Sequence, residues 1–326
     1  MTTLRVLLRL VPLALAIATV APTLAQQRER FTLGVMRRDG LIVPFAAYDG
    51  DWSMPWPVSV RSLELPVTLD AVPAKWWGGE LPAAWTLWRA SGQEQVPVKP
   101  LAPLALIIGF EKRLGVRTDF VSGEPPVPPF ELPYPKEGLA VAGAAKVDAI
   151  SGVSKLSTAW RDLTTAVQEA IEAAERKALN NIRARTRWVH PVPESQRGAI
   201  IAELEAWYTS TLEQPGFGVS YIEAVKKYPP SPEDEGCGLE TFVSGWIHSN
   251  ARDPRPKTDL TARVTYCDRN GVSYMLPLGR LRANNRTHWV FQMSSSEREW
   301  YAVVEATPGR VKFVAEYYGG GRPLPF

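Results

Sequence analysis

The chain has 326 residues, of which 45% are hydrophobic and 22% charged, and both values are ordinary for a globular protein. Its formal net charge is only +3, from 37 basic and 34 acidic residues. This balance provides no electrostatic basis for binding nucleic acid, so nucleic acid is excluded as an expected partner. The length predicts one or two domains.

The first 25 residues have the three parts of a secretory signal peptide. Arg5 and Arg9 supply the positive charge, Leu10–Val20 is apolar apart from one threonine, and Ala25 suits a cleavage site. An uncleaved anchor is the alternative, but the apolar run is shorter than the roughly 20 residues of a spanning helix. No cysteine follows the run to accept a lipid. We expect residues 1–25 to be removed and the rest to be exported, to a periplasm or to the outside medium, with no stable membrane span.

Residues 26–123 predict a mostly antiparallel β domain. Phe31–Met36 and Leu41–Tyr48 are apolar segments separated by Asp39 and Gly40. An Asp-Gly pair between two apolar runs predicts a tight hairpin. Alternation and turn residues predict further strands in the stretch 58–69 and at Trp85–Arg89, Val96–Lys99, Leu104–Phe110 and Val116–Val121.

Residues 124–153 divide the chain. Glu124–Pro135 is rich in proline, which fixes φ and lacks an N–H, so it predicts an extended connector and not a central strand or helix. Leu139–Val153 is rich in small residues and receives no assignment.

Residues 154–326 predict an α+β domain that begins with two helices. Apolar residues recur at helical spacing from Leu156 to Ile182, and Ser154 is placed to cap this helix. A second helix is predicted over Ser195–Leu212. The stripe of the first helix favours packing on a sheet, and dimerisation as a coiled coil is the alternative.

From Val219 onward the apolar period changes to two, and short turns separate the segments. This pattern predicts an antiparallel meander with strands at Thr241–His248, Leu260–Tyr266, Val272–Leu278, His288–Met293, Trp300–Ala306 and Val311–Tyr318. The expected fold is therefore α+β: an N-terminal antiparallel β domain, then two helices packed on one face of a C-terminal antiparallel meander.

The two cysteines, Cys237 and Cys267, predict a disulfide, because an exported chain meets an oxidising compartment. The bridge would close a loop of about 30 residues and stabilise the fold by roughly 3–4 kcal/mol. Two free thiols too far apart to meet are the alternative.

Catalytic and cofactor motifs are absent from the sequence, which contains no nucleophile elbow, zinc-protease motif, phosphate loop or dinucleotide fingerprint. We therefore assign no catalytic residue, no cofactor and no metal ligand. The 12 tryptophans indicate either flat platforms for sugar rings or core packing, and core packing is favoured.

The histidines give the only candidate site. Trp246 and His248 lie two residues apart on one predicted strand and share a face, so they are the candidate ligand-binding pair. His288 and Trp289 are adjacent and therefore point to opposite faces. His190 precedes a proline and is expected in an exposed turn.

These observations favour an exported, non-catalytic binding protein whose partner is another protein or an envelope polymer. The alternative is an exported hydrolase whose site is assembled from scattered residues. A deep pocket at His248 or a close pair of carboxylates would favour the hydrolase. A broad exposed surface rich in tryptophan would favour binding.

Overall fold

The computed structural model describes residues 29–54, 80–107, 113–125, 127, 136–230, 238–295 and 298–321. The predicted signal peptide, the stretch 58–69, most of the proline-rich connector and Cys237 lie outside these residues. The described chain forms three sheets in which all paired strands are antiparallel, together with a small helical part.

The first sheet has the strand order β5-β4-β8-β1-β2-β7-β6, and β3 pairs with β2. Its strands are β1 (Arg30–Arg37), β2 (Leu41–Asp49), β3 (Trp52–Ser53), β4 (Ala84–Arg89), β5 (Gly92–Pro97), β6 (Leu104–Ile107), β7 (Arg113–Arg117) and β8 (Lys136–Gly143). The predicted β1–β2 hairpin is confirmed. Gly40 has φ +78° in its turn, a conformation that glycine adopts without steric cost.

The second sheet has the order β10-β11-β12-β13-β14 and carries the helices. Its strands are β10 (Ser151–Gly152), β11 (Glu203–Thr211), β12 (Phe217–Lys227), β13 (Leu239–Asn250) and β14 (Asp253–Tyr266). The helices are α1 (Thr158–Ala166), α2 (Gln168–Arg185) and the short α3 (Glu194–Arg197).

The third sheet has the order β18-β17-β16-β15-β9. Its strands are β9 (Val147–Asp148), β15 (Tyr274–Ala283), β16 (Arg286–Ser294), β17 (Arg298–Thr307) and β18 (Arg310–Gly321). Asn284 and Asn285 turn β15 into β16 with φ angles of 47° and 58°, as a tight hairpin requires. The predicted strands of the meander are confirmed, but they form two sheets instead of one, because the chain leaves the second sheet after β14.

The layers stack in the order helices, second sheet, third sheet, first sheet. One core joins the helices to the second sheet, another joins the second sheet to the third, and the largest joins the third sheet to the first. The third sheet is therefore buried on both faces. On β16, Val290 packs toward the first sheet while Trp289 and Phe291 pack toward the second, which explains its run of consecutive buried residues.

The unassigned segment connects all three sheets within a few residues. Its strand β8 lies inside the first sheet between β4 and β1, β9 pairs with β15 in the third sheet, and β10 pairs with β11 in the second. The largest core also contains residues from both predicted domains.

The helical predictions are partly wrong. The first helix is divided at Val167, and Ser157 caps its start instead of Ser154, by accepting a hydrogen bond from the Trp160 amide at 3.1 Å. Its apolar stripe packs on the second sheet, as expected. The second predicted helix is wrong, because Glu203–Thr211 forms β11. Aromatic and β-branched residues such as Trp207 and Thr209 favour a strand there. The apolar residues of the segment fit a helical spacing only by coincidence.

Candidate functional site

The predicted ligand-binding pair lies between the second and third sheets. Trp246 is 7% exposed and packs edge-to-face on Tyr221 and Trp289, with ring centroids 5.2 and 5.3 Å away. His248 is also buried, and its Nδ1 has no hydrogen-bond partner among the described residues. Burial and the Lys257 charge lower its pKa. Neither residue lines any of four cavities found in the described part of the chain, and a ligand-binding role for them stays a prediction.

The other two histidines are buried as well. His288 faces the first sheet, where its ring lies 5.2 Å from that of Trp52, and its Nδ1 donates to the Arg286 carbonyl at 3.1 Å. The expected exposure of His190 is wrong, since this residue is only 5% exposed. Tyr228 and Trp188 cover it from two sides, with ring centroids 4.5 and 5.6 Å away.

None of the tryptophans in the described part of the chain is exposed. Trp85 and Trp289 are among the largest fully buried side chains. The described residues thus present no broad tryptophan surface, and core packing accounts for most of these side chains.

The predicted Cys237–Cys267 bridge stays a prediction, because Cys237 lies outside the described residues. Cys267 directly follows β14. Titration of the native protein with a thiol reagent tests the bridge, and two reactive thiols would contradict it.

A charged cluster lies beneath α2. The inner face of this helix carries Ile171, Ala174, Glu175 and Leu179, at the spacing of three and four that puts side chains on one side. A carboxylate thus enters an otherwise apolar stripe. Lys226 meets it from the second sheet, because on β12 it shares the helix-facing side with Ile222 and Ala224.

Glu175 is held by three donors. Its Oε1 accepts hydrogen bonds from the Tyr228 hydroxyl at 2.5 Å and the Thr241 hydroxyl at 2.6 Å, and its Oε2 accepts from Lys226 Nζ at 3.2 Å. Burial raises the pKa of this carboxyl, but the hydrogen bonds from Thr241 and Tyr228 and the Lys226 charge outweigh burial and lower it. Glu175 is therefore a charged, structurally engaged carboxylate.

Beside this cluster two buried polar atoms lack partners. Arg197, at the end of α3, is 6% exposed, yet its Nη1 has no hydrogen-bond partner among the described residues. Its Nη2 lies 3.6 Å from the carboxylate of Glu194, which is itself 71% exposed. His190 Nε2 is also buried without a partner there. Buried polar groups are nearly always satisfied, so these two require an explanation.

A cavity of about 210 Å³ adjoins the cluster, and we call it the α2 cavity. Its inner wall is made by buried residues, Glu175, Lys226 and Arg197, and its rim by the more exposed Glu172, Arg176 and Glu194. Glu175 is already compensated by Lys226, and Arg197 is paired through Nη2 with the exposed Glu194 at the rim, so the three charges of the inner wall sum to +1. Burial, followed by the Arg197 charge, lowers the pKa of His190, which keeps this histidine neutral at neutral pH.

A second group of carboxylates lies where the second sheet meets the start of β15. Arg269 binds Glu205 through two hydrogen bonds of 2.8 Å and Glu240 through one of 2.7 Å. Glu223 accepts the Met275 amide at 2.6 Å, and burial, with the nearby Glu205 charge, raises its pKa to about 7. None of these carboxylates lines any of the same four cavities in the described part of the chain.

Another buried ion pair lies between the first and third sheets. Lys136 Nζ lies 2.9 Å from Glu299, which also accepts the Tyr301 hydroxyl at 2.7 Å. Burial lowers the pKa of Lys136 to about 8. The two charged side chains are only 2% and 4% exposed, so this pair joins the two layers through a buried contact.

The α2 cavity could be anticipated only in part from the sequence. Glu175 interrupts the apolar stripe of the first helix, and Lys226 alternates in phase with Ile222 and Ala224. Both signals mark charges on buried faces. The position of Arg197 carries no such signal, because it follows two prolines and ends the short α3, inside the stretch for which the sequence predicts a longer helix.

The described part of the chain has no helix long and apolar enough to cross a membrane. It also has no cluster of three or more histidine, cysteine, aspartate or glutamate side chains suited to a metal ion. No family model, curated protein or solved structure matches the chain.

Proposed function

We propose that this chain is an exported, non-catalytic binding protein that holds a small anionic ligand in the α2 cavity. The observation that carries the proposal is the buried Nη1 of Arg197, which lines the cavity without a hydrogen-bond partner among the described residues. Export rests on the signal-like leader, and N-terminal sequencing of the mature protein should begin at Gln26.

An anion is the ligand that best completes this wall. A guanidinium is always charged and has five donors but no acceptor, and an unsatisfied buried donor costs about 1–3 kcal/mol. A carboxylate or phosphate oxygen would satisfy Arg197, and both groups match the planar fork of an arginine. Lys226 adds to the attraction, since its ammonium has three donors and Glu175 receives one of them.

The same geometry argues against the hydrolase alternative. The oxygens of Glu175 already accept three hydrogen bonds, so they are poorly placed to take a proton from a substrate. Thr241, the aliphatic hydroxyl that donates to this carboxylate at 2.6 Å, is fully buried and does not line the cavity, so it cannot reach a substrate carbonyl there. Binding without chemistry is the simpler use of the cavity.

The proposal is tested by unfolding the protein with and without inorganic phosphate, acetate or succinate, against chloride at matched ionic strength. A ligand at ten times its dissociation constant stabilises the native state by about 1.4 kcal/mol. The wild type should gain this stability with at least one anion, and Arg197→Met should lose the gain.

Arg161→Met, on the exposed side of α1, is the matched control and should respond like the wild type. This control is needed because phosphate stabilises most proteins slightly by exclusion from their surfaces. Equal responses of the wild type and Arg197→Met to every anion would overturn the proposal.

A further inference from the structure

A second cavity, of about 350 Å³, lies between the first and third sheets. Tyr48 and Trp52 line it from the end of β2 and from β3, and His288, Glu305 and Phe313 line it from β16, β17 and β18. We call it the aromatic cleft. It lies at the open end of the largest core and shares no lining residue with the α2 cavity.

Trp52 is the central residue of this cleft. Its ring lies 5.1 Å from that of Tyr48 and 5.2 Å from that of His288, and it is half-buried. Its Nε1 is buried and has no hydrogen-bond partner among the described residues. An indole N–H can only donate, so a ligand oxygen or a water molecule in the cleft can serve as its acceptor. Phe313, which is 51% exposed, adds apolar surface at the mouth.

The charges that line the cleft balance. Asp51 and Glu305 are offset by Arg286 and Lys312, and Arg286 is paired with Glu305 at 2.9 Å. Burial lowers the pKa of His288 and favours its neutral form. The charges that line the cleft thus sum to zero, so the cleft has no net charge with which to select an ion.

We infer that the aromatic cleft binds a sugar ring, as part of a neutral glycan of the cell envelope. A pyranose presents apolar C–H faces, which pack on aromatic rings, and an outer belt of hydroxyls, which are both donors and acceptors. A hydroxyl oxygen supplies the acceptor that Trp52 Nε1 lacks. The paired Arg286 and Glu305 supply fixed donors and acceptors for the remaining hydroxyls.

The test is calorimetric titration of the full mature chain with N-acetylglucosamine tetramer and, separately, with cellotetraose. At least one should bind the wild type. Trp52→Phe keeps an aromatic ring but removes the N–H, and it should weaken binding by about fivefold, the effect of one lost hydrogen bond. Trp52→Ala should abolish measurable binding, with circular dichroism confirming that it folds.

Trp88→Phe is the matched control, because Trp88 also has a buried, unpartnered Nε1 but lines a different cavity. It should bind like the wild type, and so should Arg197→Met, which separates this site from the anion site. Binding of neither glycan by the wild type, or equal affinities of Trp52→Phe and the wild type, would overturn the inference.

Discussion

Two buried carboxylates lie on opposite faces of β12, and they differ in charge. Glu175 reaches one face from α2, and Glu223 belongs to β12 itself and lies on the other face. On the helix-facing side Glu175 meets Lys226, Tyr228 and Thr241, and its pKa is lowered. On the opposite side Glu223 accepts a hydrogen bond from the Met275 amide, and its pKa is raised to about 7. Both residues are 4% exposed, so burial alone does not set the charge.

The difference comes from the number and charge of the donors. Glu175 receives three side-chain hydrogen bonds, one from a cation, while Glu223 lies near the negative charge of Glu205. A buried carboxylate stays ionised only where such partners replace water. The helix-facing side of the second sheet therefore holds an ionised carboxylate beside a cavity at Glu175, whereas Glu223, on the side toward the third sheet, favours its proton.

Removing the charge of Glu175 should have the largest effect on the free energy of unfolding. Glu175→Gln keeps the shape of the side chain but leaves Lys226 as an unpaired buried cation, which should lower the free energy of unfolding by about 3–5 kcal/mol. Equilibrium unfolding in urea measures this loss.

A double variant sharpens this test. Glu175→Leu with Lys226→Met replaces the pair with apolar groups, and it should recover much of the stability lost in the single variant. Glu172→Gln, one turn earlier on α2, is the matched control and should change the stability by less than about 0.5 kcal/mol. A Glu175→Gln protein as stable as this control would show that the ion pair contributes nothing.

The raised pKa of Glu223, on the side toward the third sheet, should make the free energy of unfolding depend on pH. The folded pKa of Glu223 is about 7, above its ordinary value of 4.5, so the folded state favours the proton. Its contribution to stability is fully present below the ordinary pKa and is lost as pH rises toward 7, by up to about 3 kcal/mol. Glu223→Gln should remove this dependence.

The measurement is the difference in unfolding free energy between the wild type and Glu223→Gln at pH 5 and pH 8. The wild type should lose stability relative to the variant on going to pH 8. Glu175 acts in the opposite direction, since its lowered pKa loses stability only in acid, but it is present in both proteins and cancels. Parallel stability curves would contradict a raised Glu223 pKa.

The sequence predicts the local parts of this architecture better than its layers. The predicted Asp39-Gly40 hairpin follows from backbone preferences of a few residues and is confirmed, and the turn at Asn284 and Asn285 has the same local origin. The partition of the meander into two sheets depends on which distant strands pair, and no local pattern specifies that. The strand Glu203–Thr211 was predicted as a helix because its apolar spacing fits both periods.

The candidate site could likewise be predicted from the sequence only where the signal is local. Glu175 and Lys226 are visible in the sequence as charges on apolar faces, whereas the cavity exists only because α2, α3 and β12 converge. The pair Trp246 and His248 was correctly placed on one strand face, but that face packs against the third sheet, a layer that the sequence did not separate.

The smallest expected effect concerns Arg197 without ligand. Its Nη1 has no hydrogen-bond partner among the described residues and lies in the wall beside the Glu175 ion pair, so Arg197→Met should leave the unliganded protein equally stable or more stable, by about 1 kcal/mol. Residues kept for binding often reduce stability in this way. Urea unfolding in chloride measures the change. A loss of more than about 1 kcal/mol would instead assign Arg197 to the structural cluster around Glu175, and the contrast between a satisfied carboxylate and an unsatisfied guanidinium in one cavity would fail.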